Sequence, residues 1–428
     1  MAAGEGRGPV PAHLLPDNAS VHDGDLSVGG VPVAELAAEF GTPLFVYDED
    51  HLRARCREAA ETFGDGVAFA TKAFLCVAMA KLAYEEGMHL DVATMGELHV
   101  ADVAGVPASA CVLHGNNKSI DELRVGMQRG VGRIVIDSFD ELDRIDMVHA
   151  ETGHVAQALL RITPGVEAHT HEFISTGQDD SKFGFTVSTG LAERAIERAK
   201  ASPAIELHGI HAHIGSQVFA IESLRESARI LGEIASRYGL PELSVGGGLG
   251  VAYVTGEEGL TISQWGKAVL EGARASGADV RITAEPGRAI VATAGMTVYT
   301  VGTVKHLEGI RTYVAVDGGM SDNPRPVLYD SGYECMVPTR ADADRSLAVR
   351  VVGKHCESGD IVVREGFLPD DLVVGDLLVT PVTGAYGHSL ASNYNKVARP
   401  AVVFVRDGNA RVVVRRETLD DLVRLDIG

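Results

Sequence analysis

The sequence predicts a (β/α)8 TIM-type barrel joined to a mostly β domain, a sandwich or barrel that also takes up the N-terminal segment. Three observations carry this. Short β-rich runs and longer helix-periodic runs alternate through residues 41–293. Eight strand runs fall in that span after a leading strand and helix, PLFVYDEDHLRARCREAAETF. From residue 294 the texture changes to β runs with turn residues between them. The expected division is therefore 1–40 as an N-terminal segment joining the β domain, 41–293 as the barrel and 294–428 as the β domain.

The eight runs are GVAFAT, GMHLDVA, CVLHG, RIVIDS, ALLRITP, LHGIHAHIG, LSVGGG and VRITAEP, separated by helical stretches such as LAERAIERAKA and SLRESARILGEIASRYG. Eight βα units in one domain suit a closed barrel. A doubly wound sheet rarely needs eight units and usually carries GxGxxG in its first turn, which is missing here. In the β domain, MTVYTVGTV, TYVAVDG, LAVRVVG, DIVVREG and DLLVTPV read as strands, and VVFVRDGNARVVVRR as a hairpin turning at Asp407-Gly408-Asn409.

Composition bounds the function. The 428 residues carry 38 Lys+Arg against 59 Asp+Glu, a formal net charge of −21, which argues against a nucleic-acid partner. With 45% hydrophobic and 23% charged residues the chain has an ordinary globular composition. The apolar-looking stretch 67–84 contains Lys72 and Lys81, so no membrane span is expected. MAAGEGRGPVPAHLLPDN has no apolar h-region, so no export signal is expected. The five cysteines (Cys56, Cys76, Cys111, Cys335, Cys356) are scattered and form no CxxC. That spacing predicts reduced thiols in a cytoplasm and no metal framework.

In a TIM barrel the catalytic groups sit at the C-terminal ends of the strands. Here the runs end or pass through Lys72, Asp91 and Glu97, His114, Asp137, Arg161, His211 and His213, Gly246-Gly247-Gly248, and Glu285 with Arg288. Any one of these would suit a loop cap or an ion pair. Eight together predict a site at the mouth. Lys72 follows Ala68 and Ala70 on one strand face, since side chains alternate. It reads either as a surface lysine past a strand end or as an amine inside an apolar barrel, where burial favours the neutral nucleophile. Glycines after the seventh strand let amide N–H groups approach an anion, and barrel phosphate sites are often built after strands seven and eight. EPGR after the eighth adds a glycine amide and an arginine. His213, with Ser216 three residues on, reads as a capping histidine or as a ring lying flat on another ring. Glu285 reads as an arginine partner or as a carboxylate facing a pyridine nitrogen. A lysine, a phosphate cradle, a ring-facing histidine and that carboxylate together describe pyridoxal phosphate chemistry.

The chain also resembles the fold-type III pyridoxal-phosphate-dependent decarboxylases, and within them the branch acting on diaminopimelate. The matching pieces run in order from residue 45 to 395: FATKA, LDVATMGE, HGNNKS, IDSFDEL, RITPGVEAHTHEFISTG, SKFGF, HAHIGSQ, GGGLG, AEPGR, VDGGMSDNPRPVLY, CESGD and GAYGHSLASNYN. Met95, Gly387, His388 and Leu390 depart from the usual pattern. The resemblance implies that Lys72 holds pyridoxal 5'-phosphate through a Schiff base. His213 would stack on its ring and Glu285 meet its nitrogen, while Ser216, Gly247, Gly248, Gly287, Arg288 and Tyr386 would hold its phosphate. It implies that Arg288, Arg325 and Tyr329 grip the far carboxylate of the substrate, with Tyr386 beside it, and that Glu357 binds the distal ammonium. Cys356 would protonate the product carbon from the partner subunit of a homodimer with shared active sites. Asp91, Glu97 and Arg161 would form a supporting ion network. The implied reaction takes meso-2,6-diaminopimelate, at its D-configured centre, to L-lysine and carbon dioxide, the last step of lysine biosynthesis.

Rival expectations are a decarboxylase of ornithine, arginine or carboxynorspermidine, an alanine racemase, and a non-enzymatic pyridoxal phosphate carrier or regulator. The first group has no need of Arg325 and Tyr329. The racemase needs an arginine in place of Glu285. The carriers generally lack the β domain.

Overall fold

The computed structural model describes residues 7–165 and 179–428. The chain forms two compact units. One comprises Met1–Ala54, Ala252–Glu258 and Ile290–Gly428, and the other Arg55–Val251 and Gly259–Ala289. The first opens with a three-stranded meander, β1 (Ala19–His22), β2 (Asp25–Val28) and β3 (Val31–Pro32), and a leading strand β4 (Leu44–Asp48).

The second unit is the barrel. Its strands are β5 (Ala68–Ala70), β6 (His89–Val92), β7 (Cys111–Leu113), β8 (Arg133–Ile136), β9 (Ala156–Thr163), β11 (Ile205–His211), β12 (Glu242–Ser244) and β13 (Arg281–Thr283). They pair in parallel in chain order, and a short β10 (Phe185–Thr186) lies beside β9. Two hydrogen bonds close the ring between its ends: Ala68 N donates to Ala284 O at 2.9 Å and Ala70 N to Pro286 O at 3.2 Å. Ala68, Val112, Val135 and Leu159 form one buried apolar cluster across four strands. All eight runs read from the sequence are present.

The helices start where the sequence supplies caps. Ser119 and Glu122 form a reciprocal capping box for Ile120–Arg129, which ends at a left-handed Gly130. Thr94, Ser138 and Thr261 cap the helices beginning at Met95, Phe139 and Ile262, each accepting from the backbone N–H three residues on, with Gln264 completing a reciprocal box at Thr261. These starts fix the loops that leave the strand ends, beside which the polar residues gather.

In the first unit, the strands after residue 290 are β14 (Gly295–Leu307), β15 (Arg311–Val316), β16 (Leu347–Val352), β17 (Ile361–Leu368), β18 (Leu377–Pro381), β19 (Ala401–Arg406) and β20 (Asn409–Val414). β14 serves two sheets. Its first half pairs with β4 and β18, its second half with β15, and a register shift between Val301 and Thr303 marks the handover. Strands that change sheet at a bulge build the corners of sandwiches. The leading strand β4, which the sequence pattern places in the barrel span, pairs instead with β14 and β19. β19 and β20 form the expected hairpin, with Asp407 and Gly408 both at positive φ, as a two-residue primed turn requires. No helix among the described residues is long and apolar enough to cross a membrane.

Candidate active site

At the strand ends of the barrel, buried polar groups converge on Glu285. Its residue is 7% exposed. Oε1 lies 3.2 Å from His114 Nε2 and accepts from Ser244 Oγ at 3.1 Å. Oε2 lies 2.9 Å from His211 Nε2. Burial alone would raise the Glu285 pKa, but the two imidazoles outweigh it and hold the carboxyl well below its ordinary value. Burial pushes His211 down to about 4, so it is neutral at physiological pH. For His114 burial acts the same way, but Asp91 (3.6 Å) and Glu285 overcome it and raise its pKa. Asp91 is pushed up to about 6 by burial, with Glu285 adding to the rise. The rim is thus a balanced set of charges in a low-dielectric setting.

The two glycine segments are tight because other backbone occupies the space a side chain would need. A Cβ at Gly247 would meet Glu285 O at 2.4 Å, and one at Gly248, where φ is +112°, would meet Gly215 O at 2.3 Å. A Cβ at Gly287 would meet Ala70 O and Ala70 Cβ at 2.9 Å, at the point where the ring closes. Gly247 N donates to His213 Nδ1 at 3.2 Å, which sets the orientation of that half-buried ring. Burial, then Lys72 and Arg161, keep His213 well below its ordinary pKa and therefore neutral. Arg288 Nη2 donates to Ser216 Oγ at 2.9 Å, so this guanidinium and this hydroxyl are neighbours.

Lys72 departs from the buried-amine expectation. β5 ends at Ala70, and a 3-10 turn over Thr71–Ala73 carries Lys72 onto the rim, where it is exposed while Ala70 and Ala73 stay buried. Its ammonium is among the charges that act on Asp91 and His213. The supporting network is also wired differently. Glu97 accepts from Ala93 N at 2.6 Å and belongs to the cap of its own helix. Arg161 lies 3.8 Å from Asp137 and 4.2 Å over the Phe183 ring. Its charge still bears on Glu285 and Asp91. Of GVEAHTHEFISTG, residues 166–177 lie outside the described residues.

In the β unit, Arg325 is 4% exposed. Its Nη1 donates to Tyr333 Oη at 2.5 Å, its guanidinium sits 4.2 Å over the Tyr253 ring, and its Nε is hydrogen-bonded to nothing among the described residues. Apart from burial, the groups that bear most on its charge are Tyr253, Tyr333 and Tyr386. Tyr329 is half-buried at the end of the short helix that Arg325 begins. Tyr386 stands at φ +62°, a strained setting for a bulky side chain, and the turn before it is closed by Gly384, whose Cβ would strike Val291 O at 1.8 Å. Cys356 and Glu357 are both exposed on a loop tip. That loop is tied at its base, where Asp360 accepts from Met320 N at 2.6 Å and His355 N at 2.8 Å. Of the departures from the family pattern, Met95 begins a helix, Gly387 has Thr383 O 2.9 Å from a would-be Cβ, His388 meets Phe45 edge-on at 5.9 Å, and Leu390 is exposed.

Sequence reasoning placed His114 and His211 at strand ends without giving them a task, and it missed Ser244, Tyr253 and Tyr333. Ser244 had a signal: it is a polar residue inside an apolar run, next to the glycines. The tyrosines had none, because they lie far apart in sequence.

Residues 49–292 match the family described as pyridoxal-dependent decarboxylase, pyridoxal binding domain. The diaminopimelate decarboxylase of Mycobacterium bovis is 46% identical over 425 residues, covering 94% of this chain and 95% of its own length. That of Bacillus subtilis is 46% identical over 420 residues, with 94% and 95% covered. The chain belongs to the pyridoxal-dependent decarboxylases. Within that family both of these relatives are diaminopimelate decarboxylases, and the fold follows that of solved diaminopimelate decarboxylases. The crystal structure of the M. jannaschii diaminopimelate decarboxylase in complex with L-lysine has a TM-score of 0.88 at 31% identity, covering 96% of this chain and 98% of that one. The site residues also fit the family's cofactor. An ionised buried carboxylate suits a ring nitrogen, a neutral imidazole suits a ring face, and two glycine segments that exclude side chains suit a phosphate.

Proposed function

We propose that this enzyme decarboxylates meso-2,6-diaminopimelate to L-lysine and carbon dioxide with pyridoxal 5'-phosphate, acting as a homodimer in the cytoplasm. One observation carries the choice of substrate: among the described residues Arg325 is a buried guanidinium that forms no ion pair with a carboxylate and has an unbonded Nε. Burying a cation unpaired is costly, and a planar guanidinium is shaped for a carboxylate. Ornithine, arginine and lysine have no second carboxylate to offer it.

Each residue's part follows from its chemistry. Lys72 supplies the amine that anchors the cofactor aldehyde, and its exposure leaves it accessible to an incoming substrate amine. Glu285 keeps a proton at the ring nitrogen, and His213 lies against the ring. Ser216, Gly247, Gly248, Gly287, Arg288 and Tyr386 hold the phosphate. When bound, pyridoxal phosphate supplies a protonated ring that takes up the electron pair left as carbon dioxide departs. Arg325 and Tyr329, with Arg288, fix the unreactive carboxylate, and Glu357 holds the distal ammonium. Cys356 Sγ gives the proton that replaces the lost carboxylate. Asp91 and Arg161 keep the rim charge balanced around Glu285, and Glu97 fixes the turn that follows the strand carrying Asp91.

The deciding experiment is a substrate panel read by carbon dioxide release. Diaminopimelate should exceed ornithine, arginine and lysine in kcat/KM by on the order of 10³-fold, because those analogues leave Arg325 unpaired. Comparable turnover of ornithine would remove the substrate assignment. Borohydride reduction should place the cofactor on Lys72, and label on any other lysine would remove the anchor.

A further inference from the structure

Each oxygen of the Glu285 carboxylate meets its own imidazole: His114 Nε2 at Oε1 and His211 Nε2 at Oε2. An ionised carboxylate has only acceptors, so both imidazoles donate from Nε2. His211 Nδ1 is buried and hydrogen-bonded to nothing among the described residues, so a second proton there would be stranded. His211 is therefore a neutral donor in a single tautomer. His114 differs, because it also lies 3.6 Å from Asp91 and so stands between two carboxylates that favour its imidazolium. The rings meet edge to face, with centroids 4.9 Å apart. The backbone under His114 is pinned as well, by its own N–H on Val92 O (2.8 Å) and by Lys118 Nζ on Gly115 O (2.6 Å).

We propose that His114 and His211 are positioning residues that clamp Glu285, one cationic and one neutral donor, so that the proton between Glu285 and the cofactor's ring nitrogen stays on the nitrogen. The inference rests on the assignment of Glu285 to that nitrogen. A buried carboxylate next to a pyridine would otherwise take the proton itself, since a neutral pair is cheaper to bury than an ion pair. Donors on both oxygens lower the basicity of the carboxylate and reverse that preference. Ser244 adds a third donor on Oε1.

The test uses the holoenzyme reconstituted with pyridoxal phosphate carrying 15N in the ring, read by NMR, with 15N-histidine labelling in parallel. In the wild type the ring nitrogen should be protonated, His211 should be the Nε2–H tautomer, and both nitrogens of His114 should carry protons. His211→Ala and His114→Ala should move the ring 15N signal toward the unprotonated position and lower kcat roughly tenfold or more, with KM within about twofold. His211→Gln, which keeps an N–H at similar reach, should restore most of both. His114→Gln keeps a donor but no charge and should restore part. If Glu285→Gln leaves the ring nitrogen protonated, the Glu285 assignment fails and the clamp with it. If Glu285→Gln deprotonates the ring while both alanine variants keep the wild-type signal, the clamp alone fails. A His211 Nδ1–H tautomer in the wild type would overturn the clamp without any variant.

Discussion

The role proposed for Arg325 puts substrate specificity on a single side chain. Its guanidinium is pre-placed by the Tyr333 hydroxyl and the Tyr253 face, so little rotamer freedom remains to be lost on meeting a carboxylate. Arg325→Ala should therefore reduce kcat/KM for diaminopimelate by on the order of 10²-fold, while slow turnover of lysine changes little. Equal losses on both substrates would show that Arg325 only supports the fold. Cofactor absorbance, unchanged in the variant, separates the two cases. The identity of Arg325 was legible in the RPVLY motif, but its aromatic setting was not, because Tyr253 belongs to a seven-residue excursion into the β unit that no local pattern marks. Lys72 shows the opposite error. Alternation along FATKA placed it on the strand face of Ala68 and Ala70, but the strand ends at Ala70 and Lys72 lies in the turn that follows, where a period-two argument no longer applies.

At the level of elements, the loops after β12 and β13 work by excluding side chains. Gly248→Ala would put a methyl 2.3 Å from Gly215 O at a φ of +112°, and backbone cannot yield as a flexible side chain could. Pyridoxal phosphate affinity, measured by equilibrium dialysis, should fall at least about tenfold, and stability by roughly 1–3 kcal/mol. Unchanged affinity would move the phosphate elsewhere. A second element-scale effect lies in the segment leading from β15. Asp322 is buried and pushed up to about 7 by that burial, although bonds from Tyr299 Oη and Gly319 N oppose the rise. A carboxyl with a raised native pKa binds more protons folded than unfolded, so its contribution to stability declines as pH rises from its ordinary 3.8 toward 7 and is level above that. Asp322→Asn removes that decline. Its melting temperature should gain on the wild type by roughly 5 °C between pH 4 and pH 8. Parallel pH curves for the two proteins would show that Asp322 is not the group titrating. Nothing in VDGGMSDNPRP distinguished this aspartate from a turn residue, since burial is a property of the packed sheet.

At the scale of the whole molecule, the barrel was readable because eight β-rich runs alternate with helix-periodic runs across residues 41–293. The β unit was less so. β4 joins it across a long sequence separation, and only pairing with β14 and β19, not any local pattern, places it there. The quaternary proposal depends on the loop that presents Cys356. Asp360 ties the base of that loop while Cys356 and Glu357 stand exposed at its tip. A proton donor has to reach a site closed to bulk water, and an exposed tip achieves this if a second copy of the chain receives it. The test is a mixture of two inactive proteins. Lys72→Ala lacks the anchor and Cys356→Ala lacks the donor, so each alone should turn over at most about 1% of wild type. In a mixed dimer with shared sites, one site has Lys72 from one chain and Cys356 from the other, and it is complete. Random reassortment makes half of all dimers mixed, so the mixture should recover roughly a quarter of wild-type activity. If Cys356 served the site of its own chain, no mixed dimer would contain an intact site. Mixed dimers verified by differential tagging, yet inactive, would return the donor to its own subunit.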